Sequence, residues 1–150
     1  MNNAVEVDAK QVINMFAELD KKNQKKVYRD ALRKASGILI KQTRTNLKGI
    51  IKSSITKKSK KTSKSLSSGV KTSIDREATQ ATVHIMGDFR LKFFEKGTSL
   101  RRTRKGFNRG QIQPKYFFRA AKTTTETEVF SSMEKIITES IIRVNNKYKG

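Results

Sequence analysis

Cysteine is absent from the 150-residue chain. That removes a disulfide framework, a thiolate nucleophile and any zinc site built on cysteine. Tryptophan is absent as well, histidine occurs once (His84) and proline once (Pro114). No apolar run approaches the ~18 residues that a membrane span needs. The opening residues, Met1 to Asp8, carry neither a positive n-region nor an apolar h-region, so no secretory signal is expected, and the lack of cysteine fits an intracellular origin. Acid is scarce too: 13 Asp and Glu stand against 34 Lys and Arg, a formal net charge of +21.

That charge is unevenly placed. Residues 21–76 hold eighteen Lys and Arg against Asp30 and Asp75, and residues 90–122 hold eleven against Glu95. A compact chain so charged repels itself unless a polyanion or an acidic surface screens it. Nucleic acid, an acidic protein and an anionic membrane all qualify on charge alone. The membrane is the weakest of them, because no basic helix shows a clearly exposed apolar face. With hydrophobic residues at 35% of the total, the chain suits one domain with one modest core.

Residues 1–8 show no periodicity and read as a flexible arm. From Asp8, a suitable N-cap, Val12, Phe16 and Leu19 fall at helical spacing with Ile13 beside them. Asp20 to Asn23 reads as a break. A second helix is predicted from about Gln24 to Leu47, with Tyr28, Ala31, Leu32, Ala35, Ile38 and Leu39 as its apolar stripe and Gly49 as its stop. Residues 50–68 are rich in Lys, Ser and Thr, and their few apolar groups predict a long mobile loop. Alternation follows. Val70, Thr72 and Ile74 share one face, and Ala81, Val83 and Ile85 share the next. Leu91 and Phe93 lead a third strand to Gly97, so an antiparallel β-meander is predicted. The last helix is predicted from about Tyr116 to Asn145, with Val129, Phe130, Met133, Ile136, Ile137, Ile141 and Val144 as its stripe. A separate start at the capping box Thr125 to Glu128 is the alternative. The fold expected is a single α+β domain: a meander packed against N-terminal helices and a long C-terminal helix, with a long basic loop.

The organising stretch runs from Leu91 to Ala121. Two apolar pieces flank a loop carrying Arg101, Arg102, Arg104, Lys105 and Arg109. Four of these five cations are Arg, suited to bidentate carboxylate or phosphate contacts. A second cluster, Lys57, Lys58, Lys60, Lys61 and Lys64, lies in the Lys/Ser-rich segment and is a candidate interaction tail, with a solvated loop as the plain alternative. Gly97 is expected to supply a backbone angle that a β-carbon disfavours, Glu95 and Thr98 to bond turn amides, and Phe117 and Phe118 to pin the returning loop to the core. Phe107 is expected to pin the loop to its own subunit, with an intersubunit pocket or a stacked base as the alternatives.

Phe94-Glu95-Lys96-Gly97-Thr98, the basic loop, and Pro114-Lys115-Tyr116-Phe117-Phe118-Arg119-Ala120-Ala121 leading into a terminal helix together resemble the tail-completion, or head–tail joining, family of tailed bacteriophages. Glu95, Gly97 and Thr98 match that family's turn; Pro114, Phe117, Arg119 and Ala120 match its helix start approximately. Lys96 stands where the family has an aromatic or aliphatic residue, and Ala120-Ala121 replaces Pro-Ala. The resemblance covers roughly residues 10–145 in order and spacing. It implies a non-enzymatic virion protein, made in the bacterial cytoplasm, that forms a homo-oligomeric ring (a hexamer or dodecamer) at the neck. Its neighbours would be portal, connector and tail proteins, and packaged DNA could touch it.

No catalytic, cofactor or metal residues are assigned. His84 sits in a strand without a nucleophile motif nearby, and Gly106 to Gly110 lacks the strand-to-helix setting of a phosphate loop. Asp88 and Glu95 beside lysines faintly suggest a metal-dependent nuclease, but they stand seven residues apart on a predicted strand and a turn. A stand-alone nucleic-acid-binding protein is the alternative function, favoured by charge but without a recognised binding motif.

Overall fold

The computed structural model describes residue 14, residues 16–51 and residues 65–149. The proposed arm 1–8, most of the first predicted helix and the cluster Lys57, Lys58, Lys60, Lys61 and Lys64 lie outside the described residues. Element order is α1 (Lys21–Ile50), a 3-10 turn (Leu66–Gly69), β1 (Lys71–Ile74), β2 (Ala81–His84), α2 (Arg90–Lys96) and α3 (Phe117–Lys149). The architecture is mixed α+β and dominated by its helices.

The first long helix starts three residues earlier than its periodicity predicts. Asp20 is its N-cap, its carboxylate accepting from Asn23 N at 2.8 Å. Gly49 lies inside the helix rather than past its end, and Ile51 closes it by donating N–H to Leu47 O at 3.1 Å. α1 buries Val27, Ala31, Leu32, Ala35, Ser36, Thr43 and Leu47. The C-terminal helix is unbroken from Phe117, as its in-phase stripe predicts. Thr125 starts no new helix: it is buried, and its hydroxyl donates to Ala121 O within α3.

α1 and α3 run antiparallel. Asn46 Nδ2 donates to Phe117 O at 3.1 Å near one end, while Leu32 and Met133 line a common cleft further along. β1 and β2 form an antiparallel hairpin with Thr72 opposite Val83 and Ile74 opposite Ala81. Its turn is held by Asp75, whose carboxylate accepts from Thr79 N, Gln80 N and the Thr79 hydroxyl. Basic residues of α1 brace these elements. Arg44 donates to Ser67 O and Val70 O, Arg29 donates to Arg76 O, and Lys25 pairs with Glu77 at 3.2 Å. Part of the positive face of α1 is therefore structural.

Two expectations are corrected. The sheet has two strands, because the segment predicted as the third is α2. A helix places Leu91, Phe94 and Glu95 on one face, and Leu91 and Glu95 are buried there. Asp88 helps to start the turn, its carboxylate accepting from Arg90 N and from the Arg90 side chain. The loop predicted over 50–68 is also trimmed at both ends, since Ile50 ends α1 and residues 66–69 form the 3-10 turn, while residues 52–64 lie outside the described residues. Ile51 before it and Leu66 after it both enter the core cluster with Leu47, Val70, Leu91 and Phe117.

Candidate partner-docking arm

The site is assembled around Glu95. Burying a carboxylate is costly unless its oxygens are bonded. Glu95 Oε2 accepts from Phe118 N at 2.8 Å and Oε1 from Arg119 N at 3.1 Å. These are orphan amides of the first turn of α3, where the helix dipole favours negative charge. The backbone adds to the junction: Lys115 N donates to Phe94 O at 2.8 Å and Tyr116 N to Glu95 O at 3.2 Å. The end of α2 is thereby locked to the start of α3, and the chain between them is thrown outward as a closed excursion.

Gly97 makes the exit. Its φ is +72°, and a β-carbon there would lie 2.7 Å from Ile112 O and 2.9 Å from Pro114 Cδ. Thr98 then seals the neck of the excursion. Its N–H donates to Ile112 O and its hydroxyl accepts from Ile112 N, both at 2.9 Å. Tyr116 makes the return with φ +46°, a left-handed angle at a residue with a β-carbon. Phe117 is buried in the core, and Phe118 packs against that core half-buried. Arg119 is exposed, its guanidinium 6.0 Å from the centroid of the Tyr116 ring.

Beyond this neck, residues 98–112 form a narrow two-stranded arm. Arg101 N donates to Gly110 O, Arg109 N to Arg101 O, and Arg102 bridges Asn108 antiparallel. The tip is closed by Thr103, whose N–H donates to Phe107 O, whose carbonyl accepts from Gly106 N and whose hydroxyl accepts from Phe107 N. The five cations Arg101, Arg102, Arg104, Lys105 and Arg109 are all exposed. Leu100 is exposed as well, and Phe107 at the tip is 68% exposed. The expectation that Phe107 pins the loop to its own subunit is therefore corrected; the pins are Phe117, Thr98 and Gly97 at the base.

Other candidates fall elsewhere. Asp88 is committed to Arg90 and Glu95 to the helix amides, so the pair does not converge on a common point. The Arg90 hydrogen bond, with its charge, holds the Asp88 carboxyl below the usual aspartate range, and the same bond pushes the Arg90 guanidinium up. His84 lies on β2 with Nδ1 buried and unpartnered among the described residues. Among the described residues no group of three or more His, Asp or Glu is placed to hold a metal ion, and no helix is long and apolar enough to cross a membrane.

Two features escaped the sequence reading. The destination of the Glu95 carboxylate, 23 and 24 residues away, left no periodic signal. Phe130, placed by its spacing in the core stripe of α3, is 65% exposed. Its neighbours Glu126 and Glu134, at four residues on either side, were the available signal. Comparison with family models, with curated proteins and with solved structures returns no match.

Proposed function

We propose that this chain is a non-enzymatic structural protein of a tailed phage or prophage particle, forming part of a ring at the head–tail junction. The observation that carries the reading is the arm: an acid-free excursion keyed to the body at its neck, with all five of its cations exposed. A group meant to act within its own subunit has no need to stand clear of it. Loops positioned by a rigid base are where binding concentrates. The match of Glu95, Gly97 and Thr98 to the family turn supports the same reading, since these three residues build the base of the arm. In this reading the helices and hairpin are the rigid subunit, and the arm reaches neighbouring copies or the adjoining portal, connector and tail proteins. DNA in the lumen is a further contact that would offset the charge.

The second reading is a stand-alone nucleic-acid-binding protein. What favours it is Phe107, an exposed ring among cations that could stack on an unpaired base. DNA affinity fits both readings, whereas location separates them. Quantitative mass spectrometry of purified particles from the source virus or induced prophage is the test. A few to about a dozen copies per particle, the number a ring with cyclic symmetry uses, supports the junction. Absence from particles, with the chain abundant in producing cells, retires the junction in favour of nucleic-acid binding.

A further inference from the structure

Four of the chain's acidic residues, Glu126, Glu128, Glu134 and Glu139, lie on α3, and Lys135 is the one Lys or Arg between positions 123 and 142. Glu126, Phe130 and Glu134 are spaced i, i+4 and i+8. They stack along one outward face over ~12 Å at the helical rise of 1.5 Å per residue. All three are exposed. Among the described residues neither glutamate makes an ion pair. A large ring held in water between two free carboxylates is an unpartnered surface.

The arm presents the converse. Phe107 stands in water beside Arg104 and Lys105, with Arg102 just down the ribbon. One surface is an aromatic ring among cations, and the other is an aromatic ring between carboxylates. Within one copy the two rings do not pack on each other: the aromatic pairs among the described residues are Phe16–Tyr28 and Phe89–Phe93. We infer that the arm of one copy docks on the acidic face of α3 in a second copy, Phe107 packing on Phe130 while Arg102 and Arg104 pair with Glu126 and Glu134. Such a contact joins two different surfaces of the same chain. It is therefore heterologous, and repeated around a closing rotation it generates a ring. This inference rests on the ring reading above and names the contact that would build the ring. It also accounts for how copies with so large a positive charge can adhere: the contact sets the arm against the one acidic stretch of the described helices. Cation–carboxylate complementarity steers the encounter and fixes the register, and the two rings supply the apolar anchor.

A charge-swap experiment tests it on the full-length chain, by sedimentation at low salt. The variant Glu126→Lys/Glu134→Lys pairs a basic arm with a basic face. The variant Arg102→Glu/Arg104→Glu sets two glutamates at the pairing positions of the arm against the two glutamates of the face. Each alone is expected to self-associate at least about tenfold more weakly than the natural chain, because like charges now meet. Mixed in equal amounts, the two are expected to regain association, since every arm then finds a complementary face in an alternating ring. Circular dichroism checks that the exposed substitutions leave the fold intact. A second readout exploits the lack of cysteine: Phe107→Cys and Phe130→Cys variants, mixed and mildly oxidised, should give a crosslink between the two different chains in preference to either homodimer. A natural chain that stays monomeric, a mixture that regains nothing, or crosslinks confined to homodimers would overturn the contact. Those results leave the junction reading standing, because its own test is the presence of the chain in particles. Restored association with the chain missing from particles would uphold the contact and retire the junction.

Discussion

The carboxylate of Glu95, at the end of α2, accepts the amide of Phe118 at 2.8 Å and so caps a helix that begins 22 residues further along the chain. One buried side chain thus fixes both where α3 starts and where the arm is launched. Glu95→Ala leaves two first-turn amides without their partner and opens a gap beside them. A loss of about 1–3 kcal/mol is expected. Glu95→Gln keeps one acceptor but loses the charge that faces the helix dipole, so its loss should be smaller. Urea denaturation of the two variants checks both the size and the order.

Gly97→Ala is expected to cost about 2 kcal/mol or more. The left-handed angle is strained for any residue with a β-carbon, and the added carbon would collide with Ile112 O and Pro114 Cδ. The damage should stay local. Amide exchange is expected to quicken first at Thr98 and Ile112, whose mutual bonds close the neck, and only later in α1.

The two phenylalanines at opposite ends of the excursion should behave oppositely. Phe117→Ala removes a fully buried ring from the core cluster, for an expected loss of about 3–5 kcal/mol. Phe107→Ser at the exposed tip should leave the isolated subunit within about 0.5 kcal/mol of its original stability, as surface substitutions usually do. Thermal melts of both variants separate the anchor from the tip.

Acid should weaken the fold through two turns. Hydrogen bonds from the Thr79 hydroxyl and the Gln80 amide hold Asp75 below the ordinary aspartate value of 3.8, and the Arg90 side chain does the same for Asp88. A carboxyl depressed in the folded state contributes stability that is complete above its unfolded value. That stability is lost as pH falls through the lower folded value. Melting temperature should therefore hold down to about pH 4 and drop below it, with unfolded aspartate titrating near ~3.9. Asp75→Asn and Asp88→Asn variants should start lower at neutral pH and fall less steeply in acid.

Salt should act in the direction opposite to its effect on an ordinary ion-paired domain. Among the described residues two ion pairs, Lys25–Glu77 and Asp88–Arg90, face a large excess of positive charge, so screening removes more repulsion than attraction. The isolated chain is expected to melt higher in moderate salt, by about 2–4 °C for each kcal/mol of repulsion relieved in a domain of this size. A melting point that falls with salt would mean that attraction dominates.

What the sequence revealed of this fold follows from how far each signal reaches. α1 and α3 were legible because each repeats its apolar spacing over many turns, and the β-hairpin because its alternation is bounded by turn residues. The segment from Arg90 to Lys96 was misread because two turns are too short to separate the periods. Leu91 and Phe93 alternate as a strand would, while Leu91, Phe94 and Glu95 fit one helical face, and only the need to bring Glu95 to the start of α3 decides between them. Phe130 was misread because it adjoins Val129 and lies only three residues from Met133, at the margin of the stripe, where spacing cannot tell the inner edge from the outer. For the arm, the residues were legible but their posture was not. Five cations between two glycines announce an excursion, whereas its closure by Thr98 and Ile112 is a pairing across fourteen residues.

Ile51 and Leu66 sit in the same core cluster, so the two described ends of the Lys/Ser-rich span are fixed against one body. A heritable change in that span is therefore felt first at two apolar residues: a sequence that keeps Ile51 and Leu66 keeps both of its anchors in the core, whatever lies between them.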